Sequence, residues 1–591
     1  MLMQAKDTML KSKKLKSKKL ITAFTMIILG SWLASIIQTD NGAVEITDIR
    51  FVGTAGQTMS ALLYRPRQAS ADNPQPGILA VHGYINTRET QAGFAIELAR
   101  RGMVVLALDQ TGHGYSDPPA FAHGFGGPDG LAYLRSLAFV DSTRIGLEGH
   151  SMGGWTVLMA AAAHPDGYES MVLEGSSTGT FGTKEGTATF PRNLKLVFSQ
   201  YDEFSAFMWG SAVASDIVAT EKLKKLFGSD SSIEIGQLYG SIDTGTARVL
   251  SMPPVTHPGD HLSTEAIGEA VDWFNDTLNP DPNYASTNQV WYWKELGTSI
   301  ALIGIFFIIL PLCELLLKGP FSTIVVKAPT IHEVPRTRWF VIAFITAAIP
   351  ILTFFPIQTI MPVLLPPNLV WSQSMTTGIV GWMMVTGFIS LVLFGLWLKF
   401  AQHNIRFARQ CGLGDIEELG KALVFAASVV FIVYLIVASM DFFFKVDFRF
   451  WVVALKSMSK MQFFQFLAYL PFFLLFFVLL STTLHSQLGK PHASTSSMMV
   501  TNSIVLSIGF IVMLVAQYTP LFAGGSLLIA SQPLLTIVAL QFVPLMILVG
   551  MVSTWCFYRT GTVYPGAFVN GIFICWYVTA GQATQSLPFF N

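Results

Sequence analysis

Long apolar runs in the second half of the chain limit its possible folds more than any other feature. The 591-residue sequence is 51% hydrophobic and only 13% charged, and the apolar residues concentrate after about residue 296. Each run is close to the ~20 residues that cross the hydrocarbon core of a bilayer. The runs cover residues 297–317, 339–360, 374–398, 422–440, 463–481, 498–518, 533–555 and 564–580. We therefore expect an all-α, multi-span transmembrane domain of about eight helices over residues 297–582.

The N-terminus combines a basic segment with an apolar one. Residues 1–19 contain seven lysines and one acidic residue, and residues 20–37 are apolar. A cleaved signal peptide and a retained signal anchor both fit this pattern. We favour a transmembrane anchor over residues 20–37, because the apolar stretch is long and no small-x-small cleavage site ends it. The positive-inside rule then places residues 1–19 in the cytoplasm and the following domain on the external face.

The charges between the later spans mostly agree with this orientation. Two predicted cytoplasmic loops carry Lys318, Lys327, Arg336, Arg338, Lys399, Arg406, Arg409 and Lys421. Residues 441–460 should be external, yet they also carry basic residues, and their many aromatic side chains favour an interfacial or re-entrant segment. We expect an integral, multi-pass protein of the plasma membrane.

Residues 41–279 have the composition of an ordinary globular domain, and residues 280–296 form a linker. Strand-like and helix-like segments alternate in this region, which predicts a mostly parallel sheet with helices on both faces. The predicted strands are 58–64, 77–81, 103–108, 144–148, 171–174 and 194–199, and the predicted helices are 89–101, 128–137 and 264–278. The region is large enough for one hydrophobic core.

A G-x-S-x-G motif occurs inside this region. Gly149-His150-Ser151-Met152-Gly153 follows a predicted strand and precedes an apolar helical segment. A sharp turn between a strand and a helix exposes a serine side chain to a base, and a serine needs such activation to act as a nucleophile. The context therefore makes Ser151 a candidate nucleophile.

Residues 46–278 resemble the α/β-hydrolase fold, and are most similar to its dienelactone-hydrolase and prolyl-oligopeptidase-like branches. The matching motifs are His82-Gly83-Tyr84, Asp109–Ser116, and Val140–Gly146 leading into the G-x-S-x-G turn. The resemblance does not cover the membrane domain, whose family we do not recognise. It implies a serine hydrolase in which the backbone N–H groups of Tyr84 and Met152 form the oxyanion hole.

The resemblance also implies an acid and a histidine, in that order along the chain. Asp202 follows the predicted strand 194–199 and is the expected acid, with Glu203 as its alternative. Two histidines precede the last helix of the domain. We favour His261 as the base because it is nearer that helix, and keep His257 as the alternative.

The segment 203–231 is longer than a minimal connection and begins with several large apolar side chains, Phe204, Phe207, Met208 and Trp209. Two interpretations remain open for it. It forms either an acyl- or lipid-facing pocket wall or an ordinary helix packed on the sheet.

These features predict a membrane-bound serine hydrolase that cleaves an ester, thioester or amide through an acyl-enzyme. Its partners would be a small-molecule, lipid-like or peptide acyl substrate and membrane lipids. A net charge of zero suggests no nucleic-acid partner, and without C-x-x-C or metal-ligand spacing we expect no metal or other cofactor. The alternatives are a prolyl-oligopeptidase-like peptidase, and a transporter or assembly protein with an accessory hydrolase-fold binding domain.

Overall fold

The computed structural model describes residues 2–282, 284–325, 331, 333–400, 412–413 and 416–586, with side chains from residue 18 onward. Some residues used in the sequence predictions lie outside the described set: the loop cations Lys327, Arg406 and Arg409, the linker residue Asn283, and the side chains of the lysines before Lys18.

An eight-stranded sheet forms the centre of the N-terminal domain. Its strands are β1 (Val44–Val52), β2 (Thr58–Pro66), β3 (Gln75–Val81), β4 (Val104–Asp109), β5 (Val140–His150), β6 (Ser170–Glu174), β7 (Leu194–Val197) and β8 (Arg248–Ser251). The spatial order is β1-β2-β4-β3-β5-β6-β7-β8. The β1–β2 and β2–β4 pairs are antiparallel, and every pair from β4 onward in this order is parallel.

Helices cover both faces of the sheet. They are α2 (Ala92–Arg100), α3 (Gly127–Ser136), α4 (Met152–Ala163), α5 (Ser205–Trp209), α6 (Glu221–Phe227) and α7 (Thr264–Leu278), with 3₁₀ turns at Asp40–Gly42, Arg88–Gln91, His123–Gly126, Ala214–Ala219 and His257–Leu262. Alternate residues of β3 enter two separate cores: Ile78 and Ala80 pack with α2 and α7, whereas Leu79 and Val81 pack with α3 and α4. This alternation is the pattern of a strand covered on both sides, and it confirms the predicted α/β-hydrolase fold.

The rest of the chain is helical. The long helices are α1 (Leu2–Gln38), α8 (Trp291–Lys318), α9 (Arg336–Leu364), α10 (Ser374–Phe400), α11 (Ile416–Phe444), α12 (Lys460–Gln487), α13 (Thr495–Phe522), α14 (Pro533–Thr560) and α15 (Tyr564–Ala580). By length and composition, eight helices of the described chain could cross a membrane, and the first of these spans is Lys18–Gln38. The other seven are α8 to α14. Together, the eight candidate spans indicate a multi-pass membrane protein. Helix α15 has only 17 residues and is buried along its length.

Helix α1 packs against α8 through small residues. A Cβ atom on Gly30 would lie 2.5 Å from the carbonyl oxygen of Gly297, and one on Gly297 would lie 2.6 Å from the carbonyl oxygen of Gly30. The two backbones therefore approach more closely than larger side chains allow, which is the usual packing of small residues between membrane helices. Ala34 and Ala301 flank the same crossing.

The segment between α11 and α12 folds as a hairpin of β9 (Phe448–Phe450) and β10 (Val453–Leu455). It lies against the hydrolase domain: Arg449 donates to the Thr90 hydroxyl at 2.9 Å, and the Trp451 indole donates to the Pro258 carbonyl at 3.0 Å. The predicted interfacial segment is therefore in contact with the globular domain.

Candidate active site

The candidate nucleophile lies on a strained turn between β5 and α4. Ser151 has φ +56° and ψ −120°, a conformation that costs a non-glycine residue free energy and persists only where its surroundings hold it. A Cβ atom on Gly149 would overlap the carbonyl oxygen of Gly153, and one on Gly153 would overlap the carbonyl oxygen of Val81. Close backbone packing therefore requires both glycines of the motif, and the turn presents Ser151 at the N-terminus of α4.

The loop after β3 lies directly beside this turn. A Cβ atom on Gly83 would be 3.1 Å from the Cβ of Ser151. The buried His82 ring fixes the loop, because its Nδ1 donates to the Gly83 carbonyl at 2.7 Å and its Nε2 accepts from the Gln110 N–H at 3.2 Å. Burial lowers the pKa of His82 to about 3, so the ring stays neutral. The loop thus brings Tyr84, one of the two expected oxyanion donors, close to the nucleophile.

Asp202 and His257 form a buried hydrogen-bonded pair. His257 Nδ1 donates to Asp202 Oδ2 at 2.8 Å, and the other carboxylate oxygen accepts from the Phe204 N–H at 2.7 Å. Burial lowers the pKa of His257, but the charge and hydrogen bond of Asp202 outweigh that effect, so the net shift is upward. With Nδ1 used in this bond, Nε2 is the ring nitrogen left to receive a proton.

His261 is not part of the Asp202–His257 pair. Both of its ring nitrogens are buried without a hydrogen-bond partner among the described residues. Its ring packs 4.2 Å from the His150 ring, and burial lowers its pKa well below the ordinary value. The structure therefore brings His257, and not the favoured His261, to Asp202. Both histidines belong to the 3₁₀ turn His257–Leu262, and the His261 ring packs against the rings of Phe94 and His150.

Glu203 is the alternative acid, and it contacts the backbone of the histidine instead of its ring. Its Oε2 accepts from the His257 N–H at 2.8 Å, and its Oε1 accepts from the Tyr518 hydroxyl of α13 at 2.8 Å. Burial, followed by the charge of Asp202, raises the pKa of Glu203 to about 7. Glu203 thus links the histidine loop to a membrane helix.

A cavity of about 950 Å³ connects the site with the membrane domain. Its walls include Ser151 and His257, the side chains of Phe204 and Phe207, and several residues of α9, α10, α14 and α15. The side chain of Phe207 is 55% exposed. The start of segment 203–231 lines the cavity, which favours the pocket-wall interpretation for that part. Trp209 is instead buried against the sheet, and its ring lies 6.3 Å from the Phe198 ring.

Sequence reasoning missed every wall residue that the membrane domain contributes. Gln585, just after α15, donates to the Tyr84 hydroxyl at 2.9 Å, and Arg449 and Lys456 of the hairpin segment also line the cavity. One feature of the sequence pointed to this contribution, because the basic residues of segment 441–460 depart from the positive-inside pattern. Two of them are buried against the hydrolase domain. Within the described part of the chain, no three His, Cys, Asp or Glu side chains are grouped to hold a metal ion.

The fold and the turn at Ser151 define the N-terminal region as an α/β-hydrolase domain. Residues 76–207 match the sequence family described as alpha/beta hydrolase fold. The region is also 30% identical over 133 residues to dipeptidyl peptidase 8 of Mus musculus, a match that covers 20% of this chain and 15% of that protein. The chain therefore spans only a small part of that curated relative.

Solved structures with a similar fold include two hydrolases. One is a dienelactone hydrolase-like promiscuous phosphotriesterase, P91, from metagenomic libraries, with 14% identity, a TM-score of 0.29, and coverage of 40% of this chain and 98% of that one. The other is the Pyrococcus furiosus esterase Pf2001, with 14% identity, a TM-score of 0.29, and coverage of 41% and 95%.

Proposed function

We propose that this protein is a membrane-embedded serine hydrolase whose catalytic triad is Ser151, His257 and Asp202. The observation that carries the proposal is the 2.8 Å hydrogen bond between His257 and Asp202, with His257 and Ser151 lining one cavity. A nucleophile on a strained turn and a histidine oriented by a buried acid are the two parts that serine acyl transfer needs.

The chemistry follows from the positions of these groups. Ser151 Oγ attacks the acyl carbonyl carbon while His257 Nε2 takes its proton, and Asp202 stabilises the resulting imidazolium. The N–H groups of Tyr84 and Met152 bind the oxyanion. Met152 is the first residue of α4, so its N–H has no intrahelical acceptor. His257 then protonates the leaving alcohol, thiol or amine, and water hydrolyses the acyl-enzyme by the same steps in reverse order.

An ester is favoured over a peptide with a free amino terminus. Such a peptide carries an ammonium group that needs a carboxylate partner in the site. Glu203 is the one carboxylate among the described wall residues of the cavity, and both of its oxygens already accept hydrogen bonds.

Labelling with a fluorophosphonate probe tests the triad directly. We expect the full-length protein in membranes to be labelled, and we expect Ser151→Ala and His257→Ala to abolish labelling. His261→Ala should remain labelled, because no acid orients that ring. Labelling that depends on His261 and not on His257 would restore the other histidine as the base. A folded protein that the probe does not label would instead favour a binding or transport role.

We also propose that the hydrolase domain is external. In this orientation the cytoplasmic side carries nine cations among the described residues, namely Lys18, Lys19, Lys318, Arg336, Arg338, Lys399, Lys421, Lys490 and Arg559. The opposite side of the membrane domain, against which the hydrolase domain lies, has five cations among the described residues from the start of α8 onward. These are Lys294, Lys445, Arg449, Lys456 and Lys460. The excess on the first side agrees with the positive-inside rule.

A further inference from the structure

The cavity at Ser151 continues between the membrane helices. The hydrolase domain contributes the catalytic end, and the membrane domain contributes an intramembrane arm lined by Met375 and Ile379 of α10, Val538 and Leu545 of α14, and Ile574 and Val578 of α15. Since all six side chains are apolar, this part of the wall suits a hydrocarbon chain. The volume of about 950 Å³ is at the upper end of small-ligand sites.

A second cavity of about 360 Å³ extends the arm towards the opposite end of the helices. The two cavities share the wall residues Ile379, Phe542 and Ile574, and the second one reaches Arg338 near the start of α9. A hydrocarbon chain that filled the intramembrane arm would therefore reach the second cavity just beyond these three side chains.

Part of the cavity wall lies near the outer surface of the helices. Thr359 and Pro362 of α9 face the connection between α13 and α14, and Gln532 of that connection donates to the Thr359 hydroxyl at 3.1 Å. We call this place the portal. The apolar side chains of Ile360 and Val363 beside it are 47% and 77% exposed, so in a membrane the portal faces lipid.

One polar group at the portal lacks a partner. Gln358 lines the cavity with its side chain 4% exposed, and neither its Oε1 nor its Nε2 has a hydrogen-bond partner among the described residues. A buried carboxamide without partners is costly. A ligand that presents a hydroxyl or carbonyl group at this depth would satisfy it.

We propose that the substrate is a long-chain lipid ester that enters from the bilayer through the portal. Its hydrocarbon chain occupies the intramembrane arm, a polar group near the ester contacts Gln358, and the ester carbonyl lies at Ser151. This inference rests on the proposed hydrolase function and adds the substrate class and the entry route. It also gives the membrane helices a role beyond that of an anchor.

Chain-length selectivity in vesicles provides the test. The full-length protein is reconstituted in phosphatidylcholine vesicles, and kcat/KM is measured for p-nitrophenyl palmitate and p-nitrophenyl butyrate. In Ile574→Trp the indole fills the arm, so we expect the palmitate-to-butyrate ratio of kcat/KM to fall at least about tenfold. Ile547→Trp is the matched control, because Ile547 on α14 is 39% exposed and is not a wall residue of either cavity.

The possible results of these measurements separate the lipid proposal from the hydrolase proposal. A ratio that changes equally in both variants, or a wild type that prefers butyrate, would overturn the lipid proposal while leaving the hydrolase function intact. The absence of both fluorophosphonate labelling and ester hydrolysis in the folded wild type would instead reject the hydrolase function. If Ile574→Trp does not fold, as judged by the loss of a cooperative thermal unfolding transition in detergent, the smaller change Val538→Phe replaces it with the same expected direction. Gln358→Leu should lower kcat/KM for 1-palmitoyl glycerol more than for p-nitrophenyl palmitate, because only the glycerol ester presents a hydroxyl group to the carboxamide.

Discussion

At the scale of single residues, the proposed roles of His257 and Asp202 predict how activity depends on pH. Asp202 holds the pKa of His257 above its ordinary value despite burial. Because the base must be neutral to accept the Ser151 proton, kcat/KM should rise with pH and reach half its maximum above pH ~6.5. Asp202→Asn should lower kcat about 10⁴-fold and move this midpoint down. A pH–rate profile of both proteins on a soluble ester checks the prediction.

Glu203 offers a contrasting prediction at the same scale. Its charge raises the pKa of His257, although less than that of Asp202 does, and its carboxylate accepts only the backbone N–H of that residue. Glu203→Gln should therefore shift the acid limb of the profile to lower pH and keep most of kcat, within about tenfold. A loss of kcat as large as that of Asp202→Asn would identify Glu203 as the orienting acid.

The residues of the site differ in how far the sequence could predict them. Ser151 and Asp202 follow strands with recognisable patterns, so their positions at the edge of the sheet could be predicted. His257 and His261 both precede α7, and spacing alone could not separate them. The choice depends on the 3₁₀ turn that contains both histidines and on the loop after β7, where Asp202 hydrogen-bonds to the first of them.

At the scale of elements, the two strands of the eight-stranded sheet that the sequence did not predict, β1 and β8, lack a clear apolar pattern. Strand β1 is half exposed and carries charged residues, and β8 has only four residues. Strand β8 begins with Arg248, whose buried guanidinium donates to the carbonyls of Ala247 and Thr187 at 2.8 and 2.9 Å. These hydrogen bonds make that arginine acceptable in the core, and sequence alone does not show the partner at Thr187, 61 residues away.

The crossing of α1 and α8 gives a stability prediction. Since the backbones touch at Gly30 and Gly297, Gly297→Leu should separate the two helices and destabilise the protein by about 1–3 kcal/mol. Thermal unfolding in detergent should show a lower midpoint. Ile303→Leu is the control on the same helix, because that side chain is 56% exposed. Equal midpoints for the two variants would mean that this crossing contributes little to stability.

At the scale of the whole molecule, the cavity explains why the sequence indicated the chemistry and not the substrate. The motif residues lie within one domain, whereas the walls of the arm come from segments more than 200 residues away, such as Ile379 and Ile574. Apolar residues in membrane helices look alike whether they face lipid, another helix or a cavity. Only the packing of the helices shows that these positions line a cavity.

The contacts of the C-terminal segment also determine how many times the chain crosses the membrane. Thr584 accepts from the Ala120 N–H and donates to the Gly112 carbonyl, both at 2.8 Å, so the segment after α15 lies on the same side as the hydrolase domain. That domain follows one candidate span, Lys18–Gln38 of α1. The chain should therefore cross an even number of times between the domain and Thr584, and α8 to α14 supply seven candidate spans.

We therefore predict that helix α15 is the eighth of these crossings, although it is shorter than the usual span. Its 17 residues reach about 26 Å, slightly less than the ~30 Å hydrocarbon core, and burial among other helices separates it from lipid. We expect an epitope tag after the last residue to be accessible to antibody on intact cells and a tag before Met1 to require permeabilisation. If both tags are accessible on the same side, α15 does not cross, and the Thr584 contacts with the hydrolase domain cannot form in the membrane.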